Sequence, residues 1–89
     1  MTNILPAGIE APLAAGAGNA STVDNATVVR ILNDSGSIVI VTRLDVDDAT
    51  ILGTFSMLNN TSEMVEKRPS EKLFVDGGNV KVAKVGYTN

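Results

Sequence analysis

The chain has 89 residues, a net charge of −3 and neither cysteine nor histidine, which excludes disulfides and removes the usual zinc ligands. A chain this small forms at most one domain of marginal stability, so association with another chain is the expected additional stabiliser. The composition predicts neither a membrane span nor a nucleic-acid surface, because long apolar runs are absent, the basic residues are scattered and aromatic residues are few.

Residues 1–25 are predicted to form an extended N-terminal arm outside the folded domain. The run 11–20 consists mainly of alanine and glycine, and its apolar residues follow neither the helical nor the strand period. Ordering such a segment costs about 1–2 kcal/mol per residue, which exceeds what its few aliphatic side chains return on burial. We therefore expect a partner chain to hold the arm through main-chain hydrogen bonds. The predicted anchors are Ile4, Leu5, Ile9 and Leu13.

The folded domain is predicted over residues 26–89, and its central feature is a β-hairpin candidate at residues 27–44. Two runs rich in valine and isoleucine flank residues 33–36, whose Asn-Asp-Ser-Gly sequence favours a tight turn. The second run is apolar on both faces, which indicates burial on both sides. In so small a domain the second side can be a protein interface, and Val39 and Val41 are its predicted residues.

Further short strands follow, each bounded by polar turn residues. Leu52 interrupts the alternation of the first of them, and the Gly77-Gly78 pair is typical of a hairpin turn. Short strands at regular spacing predict an all-β fold, namely a small antiparallel β-sandwich or barrel of about six strands with the extended arm. The four additional strands are predicted at residues 50–57, 62–67, 72–75 and 80–87.

The sequence contains no recognisable catalytic constellation. Its serines have no histidine to activate them, and Glu63 and Glu66, three apart on a strand, face opposite sides. Asp45, Asp47 and Asp48 resemble the opening of a calcium loop, but the glycine and glutamate that an EF-hand requires further along are missing. We therefore predict an acidic turn there, and a protein that is not an enzyme and uses no cofactor or metal.

The segment 53–69 is open to two interpretations. It can be a simple hairpin whose charged second strand ends at Pro69, because proline cannot donate to a strand ladder. Alternatively, the charged end of that strand forms the rim of a protein interface through Glu66, Lys67 and Arg68. The sequence favours the hairpin and leaves the rim as the alternative.

Several structural motifs together carry a family resemblance. They are Val29-Arg30-Ile31-Leu32-Asn33, Gly53-Thr54-Phe55, Glu63-Met64-Val65-Glu66-Lys67 followed by Pro69, and the closing strand at residues 80–87. Over residues 26–88 this pattern resembles small β-rich virion proteins of tailed bacteriophages, notably those that infect marine cyanobacteria. The arm lies outside the resemblance, which transfers no functional residue.

The resemblance implies a non-enzymatic component of a phage particle. The first expected function is a capsid decoration or cement protein whose arm clamps neighbouring subunits of the major capsid protein. The second is an adaptor or ring subunit of the tail or head–tail junction. A third is a small glycan- or ligand-binding module, which the absence of tryptophan disfavours. The expected partners are virion subunits and further copies of the chain, in a virion assembled in the host cytoplasm.

Overall fold

The protein, seen in a computed structural model, is described over residues 3–47 and 49–88, with side chains for residues 6–16, 18–47 and 49–86. Within these ranges the chain forms eight strands and a 3-10 turn. No helix of this part of the chain has the length and apolar character needed to cross a membrane. The strands are β1 (Asn3–Pro6), β2 (Ala11–Pro12), β3 (Val28–Asn33), β4 (Val39–Leu44), β5 (Ile51–Met57), β6 (Thr61–Glu66), β7 (Lys72–Val75) and β8 (Val80–Thr88).

The strands form two antiparallel sheets that pack face to face. The first sheet has the order β1-β8-β3-β6, with β2 also paired to β8, and the second has the order β5-β4-β7. Val29 and Ile31 of the first sheet are fully buried and share one core with Val39 and Val41 of the second. The predicted all-β fold, a small antiparallel β-sandwich or barrel, is therefore confirmed, and its strands lie in two sheets.

The predicted hairpin at residues 27–44 is wrong, because β3 and β4 belong to different sheets. β3 pairs with β6 and β8, whereas β4 pairs with β5 and β7. The turns after β5 and β7 likewise cross from one sheet to the other. A crossing and a hairpin use the same glycine, asparagine and aspartate residues, so tertiary contacts decide between them. Among the described strands, β4 and β5 are consecutive and directly paired.

The buried side chain of Asn33 organises the crossing from β3 to β4. Its Nδ2 donates to the carbonyl oxygens of Ser37 at 2.9 Å and Met57 at 3.0 Å. Its Oδ1 accepts from the backbone N–H of Ser35 at 3.1 Å and from the Ser35 hydroxyl at 2.7 Å. One amide thus satisfies four polar groups at the end of the sandwich, which is how a buried asparagine is stabilised.

Backbone hydrogen bonds bring the crossings after β5 and after β7 to the same end. The Asn60 N–H, between β5 and β6, donates to the Asn33 carbonyl at 2.8 Å. The Asp34 N–H donates to the carbonyl of Asn79, between β7 and β8, at 3.1 Å. The three turns that resemble hairpin turns in sequence therefore form one connected end of the sandwich.

The segment predicted as an arm lies against the rest of its own chain. β1 and β2 pair with β8, and the Leu13 N–H donates to the Val80 carbonyl at 2.7 Å. Leu13 and Val23 are buried in the core together with residues of both sheets. This corrects the expectation for Leu13, whose side chain is enclosed by its own domain and is not available as an anchor on a partner. The predicted boundary at residue 25, between an arm and a folded domain, is therefore absent from the packing of the described chain.

Candidate functional site

The two sides of the sandwich end differently, because only one of them is closed by the N-terminal segment. On the β7 side, the Gly16 N–H donates to Val75 at 3.0 Å, and the backbones of Ser21 and Leu73 exchange two hydrogen bonds at 3.0 and 2.8 Å. On the opposite side, β5 and β6 are the outermost strands of their sheets. Phe55 of β5 and Val65 of β6 both pack against the common core there. We call this β5–β6 side the open side.

β5 is an edge strand whose protection is limited to one irregularity in its pairing, at Leu52. Within the described chain it pairs with β4 alone, so its other edge carries unpaired N–H and C=O groups. Its sequence, Ile-Leu-Gly-Thr-Phe-Ser-Met, contains no charge and no proline, the two devices that most often keep an edge strand from pairing with other chains. Thr54 and Ser56 are exposed. The strand therefore has the properties of a template for strand addition.

The core is also accessible at the centre of this strand, where Gly53 provides no side chain. Among the described residues, no atom lies within 4 Å of the place a Cβ would take at Gly53. A cavity of about 180 Å³ lies beside it, lined by the apolar residues Val41, Phe55, Val65 and Leu73 together with Arg43 and Thr54. The open side therefore offers an apolar recess as well as a free backbone edge.

Exposed aliphatic side chains cover the outer face of the same sheet. Strand pairing sets Ile40 opposite the exposed Ser56, and directly paired residues share a face. Ile38 and Leu58 continue the parity of these residues just beyond the strand ends. Ile38, Ile40 and Leu58 have between 44% and 62% of their surface accessible, and Ile51 at the start of β5 is 60% exposed. Such a concentration of apolar residues on one face is typical of an interaction surface.

β6, the other edge of the open side, carries the charges that β5 lacks. Glu63 pairs with Ile31 and Val65 pairs with Val29, so Glu63 has the parity of the side chains that face the sandwich interior. A charge directed inward at a sheet edge discourages pairing with another strand, because the pairing would bury it. Glu66 adds a second exposed carboxylate at the end of β6.

The predicted rim residues differ in their exposure. Glu66 and Arg68 are exposed, but Lys67 is 94% buried by its own chain. The Lys67 Nζ donates to the carbonyl oxygens of Ala26 at 2.7 Å and of Arg68 and Pro69 at 3.3 Å. Burial lowers the pKa of Lys67, and the Glu71 carboxylate opposes this effect. The prediction of Lys67 as a rim contact is therefore corrected: its ammonium group joins the end of β6 to the start of β3.

A cleft of about 940 Å³ opens beside Lys67 and is lined by charged side chains, among them Arg43, Glu66, Arg68 and Glu71. Glu71 lies 3.6 Å from the guanidinium of Arg43 and accepts the Arg68 backbone N–H at 2.8 Å. Glu71 and Arg43, two of the charged groups of the cleft, are thus paired with each other. Arg68 and Glu66 remain at its exposed border.

The acidic loop between β4 and β5 is a capped turn. The Asp47 carboxylate accepts the backbone N–H groups of Ala49 and Thr50, both at 2.9 Å, and the Thr50 hydroxyl at 2.7 Å. Hydrogen bonds from Thr50 are the main cause that lowers the pKa of Asp47 to about 2. Asp48 lies outside the described residues. No group of three metal-binding side chains occurs in the part of the chain that is described.

The remaining predicted interface residues fall into three groups. Val39 and Val41 are 2% and 1% exposed and belong to the core between the sheets. They are corrected to core residues, because the outward-facing apolar residues of this run are Ile40 in β4 and Ile38 just before it. Ile9 is 94% exposed, so its contact with a partner stays a prediction. Ile4 and Leu5 have side chains outside the described part of the structure.

A scan against protein-family models, a search of curated proteins and a search of solved structures found no match to this chain. The candidate site therefore depends on geometry alone. Sequence analysis missed the β5 edge as a site, although the signal was present as a strand of seven residues without a charge or a proline.

Proposed function

We propose that the chain is a non-enzymatic structural subunit of a phage particle, and that its open side packs against neighbouring protein chains. The observation that carries this proposal is the uncharged, proline-free β5 edge next to exposed aliphatic residues. Both features lower the free energy when another protein covers them, since edge backbone groups gain hydrogen bonds and apolar surface leaves water. The family resemblance of residues 26–88 supplies the attribution to a virion.

Capsid decoration is the preferred role within the particle. A decoration subunit needs a rigid core and a surface for its neighbours, and the two-layer core joined at Asn33 meets the first need. Ile9 lies in the loop between β1 and β2 and is the described anchor candidate that remains available for the major capsid protein. A place in the tail or at the head–tail junction is the alternative within the same class. Either role places the protein in the virion after assembly in the host cytoplasm.

Quantitative mass spectrometry of virions purified from the phage that encodes the chain tests this proposal. We expect the chain in a copy number comparable to that of the major capsid protein. A copy number typical of a ring or a tail part moves the protein to the head–tail junction or tail. Absence from thoroughly purified virions contradicts the proposal as a whole.

The cleft beside Lys67 favours a second candidate function, the binding of a small charged ligand or glycan. Arg68 and Glu66 at its border are exposed and can form hydrogen bonds to a polar ligand. Nuclear magnetic resonance titrations of the isolated chain with charged sugars distinguish the two functions. Saturable shifts confined to residues 66–71 support the ligand module, and their absence leaves the structural role.

A further inference from the structure

We infer that β5 pairs with the β5 strand of a second copy of this chain, in antiparallel orientation around a two-fold axis at Thr54. The two three-stranded sheets then continue into one another across the β5 edges. This inference rests on the proposed function, which requires association with proteins but does not specify the strand that is used. It names both the contact and the partner.

The first reason is that β5 requires a strand as its partner. Its free edge carries alternating N–H and C=O groups along seven residues, and it pairs with β4 alone within the described chain. Side chains of a neighbouring protein satisfy a few of these groups, whereas an added strand satisfies all of them with regular geometry. The absence of proline allows the regular part of β5, from Gly53 to Met57, to take part; Leu52 lies at the irregularity in the β4 pairing.

The second reason is that β5 is complementary to itself. An isologous contact around a two-fold axis brings each residue close to its own copy or to a residue at a symmetric position. Charged strands oppose this arrangement, because like charges meet at or near the axis. β5 contains no charge, so this penalty does not arise, although each copy has a net charge of −3.

The third reason fixes the register at Thr54. Pairing through Thr54 sets Gly53 of one copy opposite Phe55 of the other, twice by symmetry. Both residues have the inward parity, because Gly53 pairs with Arg43 and Phe55 pairs with Val41 of β4. The ring of the second copy's Phe55 then lies over the open position at Gly53 and the apolar cavity next to it. An aromatic residue opposite a glycine at a sheet edge is a favourable cross-strand pair.

The other edge of the open side does not compete for this contact. Two β6 strands in the same arrangement bring Glu63 and Glu66 of both copies together, and Glu63 has the inward parity. Burying these carboxylates without cationic partners is costly. β6 therefore stays at the border of the contact while β5 forms its centre.

Cysteine cross-linking tests this inference cleanly, since the natural chain has no cysteine. In Thr54→Cys the two introduced thiols face one another at the axis, within the reach of a disulfide. In Ser56→Cys the same exposed face is used, but the two thiols lie four residues apart along the strand, or about 13 Å. Ser62→Cys places the thiol on the edge strand β6.

We expect mild oxidation of the full chain to give about tenfold more covalent dimer for Thr54→Cys than for either control variant. Sedimentation of the oxidised and reduced protein identifies the dimer, and thermal unfolding checks that each variant is folded. Equal cross-linking in all three variants overturns the inference, as does a natural chain that stays monomeric at millimolar concentration. A monomer that is nevertheless abundant in virions overturns this inference alone, whereas a dimer that is absent from virions overturns the proposed function alone.

Discussion

On the β7 side of the sandwich, residues 14–21 run along the outer strand and pair with Leu73 and Val75. On the β5 side, the outer strand faces solvent with no charge to protect it. The outer strand on each side has backbone groups that need hydrogen-bond partners. The N-terminal segment of the same chain supplies these partners on the β7 side. The N-terminal segment is therefore part of the domain, and the opposite side is the one we propose as the surface for other proteins.

Both sides depend on the shared end at Asn33, so changing this residue has the largest expected effect. In Asn33→Asp the Nδ2 donor is replaced by an oxygen that faces the carbonyls of Ser37 and Met57, and a charge is buried. We expect the free energy of unfolding at neutral pH to fall by at least about 3 kcal/mol, measured by urea unfolding.

Asn59→Asp is the matched control for this variant. Asn59 is exposed and uses its Oδ1 to accept the Gly36 N–H at 2.8 Å, a role that aspartate preserves. We expect a change within about 0.5 kcal/mol there. Equal effects of the two variants contradict the organising role of Asn33.

The β7 side, which the N-terminal segment closes, is tested by truncating Leu13, a side chain that this segment contributes to the core. Leu13 is 3% exposed, so Leu13→Ala removes buried methyl groups and leaves a cavity. We expect a loss of about 2–3 kcal/mol in the free energy of unfolding. Ile9→Ala, four residues earlier and 94% exposed, is expected to change it by less than about 0.5 kcal/mol. An unaffected stability in Leu13→Ala supports a free arm instead.

The open side is tested at Lys67, the buried residue that follows β6. Lys67→Met keeps the length of the side chain but removes the donor to three carbonyl oxygens. We expect the free energy of unfolding to fall by about 2 kcal/mol, since buried acceptors remain without a partner. Lys81→Met, at an exposed position of β8, is the control. If Lys67→Met leaves stability unchanged but weakens association, Lys67 is an interface residue after all.

The smallest expected effect concerns the loop that leads into β5. The pKa of Asp47 is lowered to about 2 by hydrogen bonds from Thr50 and Ala49, so its carboxylate is better stabilised in the folded chain than in the unfolded one. This contribution is present above the usual carboxyl pKa of about 4 and disappears as the pH falls through about 2. We expect the stability difference between the natural chain and Asp47→Asn to shrink over this range.

Removing one of the hydrogen bonds to the Asp47 carboxylate provides a check on its titration. Thr50→Val deletes the hydroxyl that donates to Asp47 at 2.7 Å, and the pKa of Asp47 is then expected to rise toward its usual value. Carbon-detected titration of the Asp47 carboxyl group follows it directly. An unchanged midpoint in Thr50→Val means that the turn is not fixed by this contact.

The fold class could be predicted from the sequence, because alternating and continuous β-branched runs report burial on a strand. The pairing of the strands could not be predicted, and residues 33–36 show the reason. Their Asn-Asp-Ser-Gly sequence is suited to a hairpin, but the Asn33 side chain bonds to Met57, which is far away in sequence. This long-range contact forms only when β5 has packed beside the turn, so the local sequence around residues 33–36 does not indicate it.

The candidate site was predictable only in part, for the same physical reason. Leu52 stood out in the sequence as an exception to the alternation, and the register shift between Arg43 and Leu44 explains it by leaving Leu52 out of the pairing. Glu66 and Arg68 are exposed, and their contact with a partner stays a prediction. Leu13 and Lys67 were misjudged, because an aliphatic or charged residue in a flanking segment gives no local sign that the chain folds back over it.

Hydrogen exchange of individual backbone amides at several protein concentrations tests the contrast between the two sides most directly. The amides of Leu73 and Val75 donate to Ser21 and Ala14 of the same chain, so we predict that they are protected at every concentration. The amides of β5 that point away from β4 are predicted to exchange rapidly in dilute protein and to become protected as the concentration rises. Rapid exchange at Leu73 and Val75, or β5 amides that stay unprotected at the highest concentration, would contradict this account.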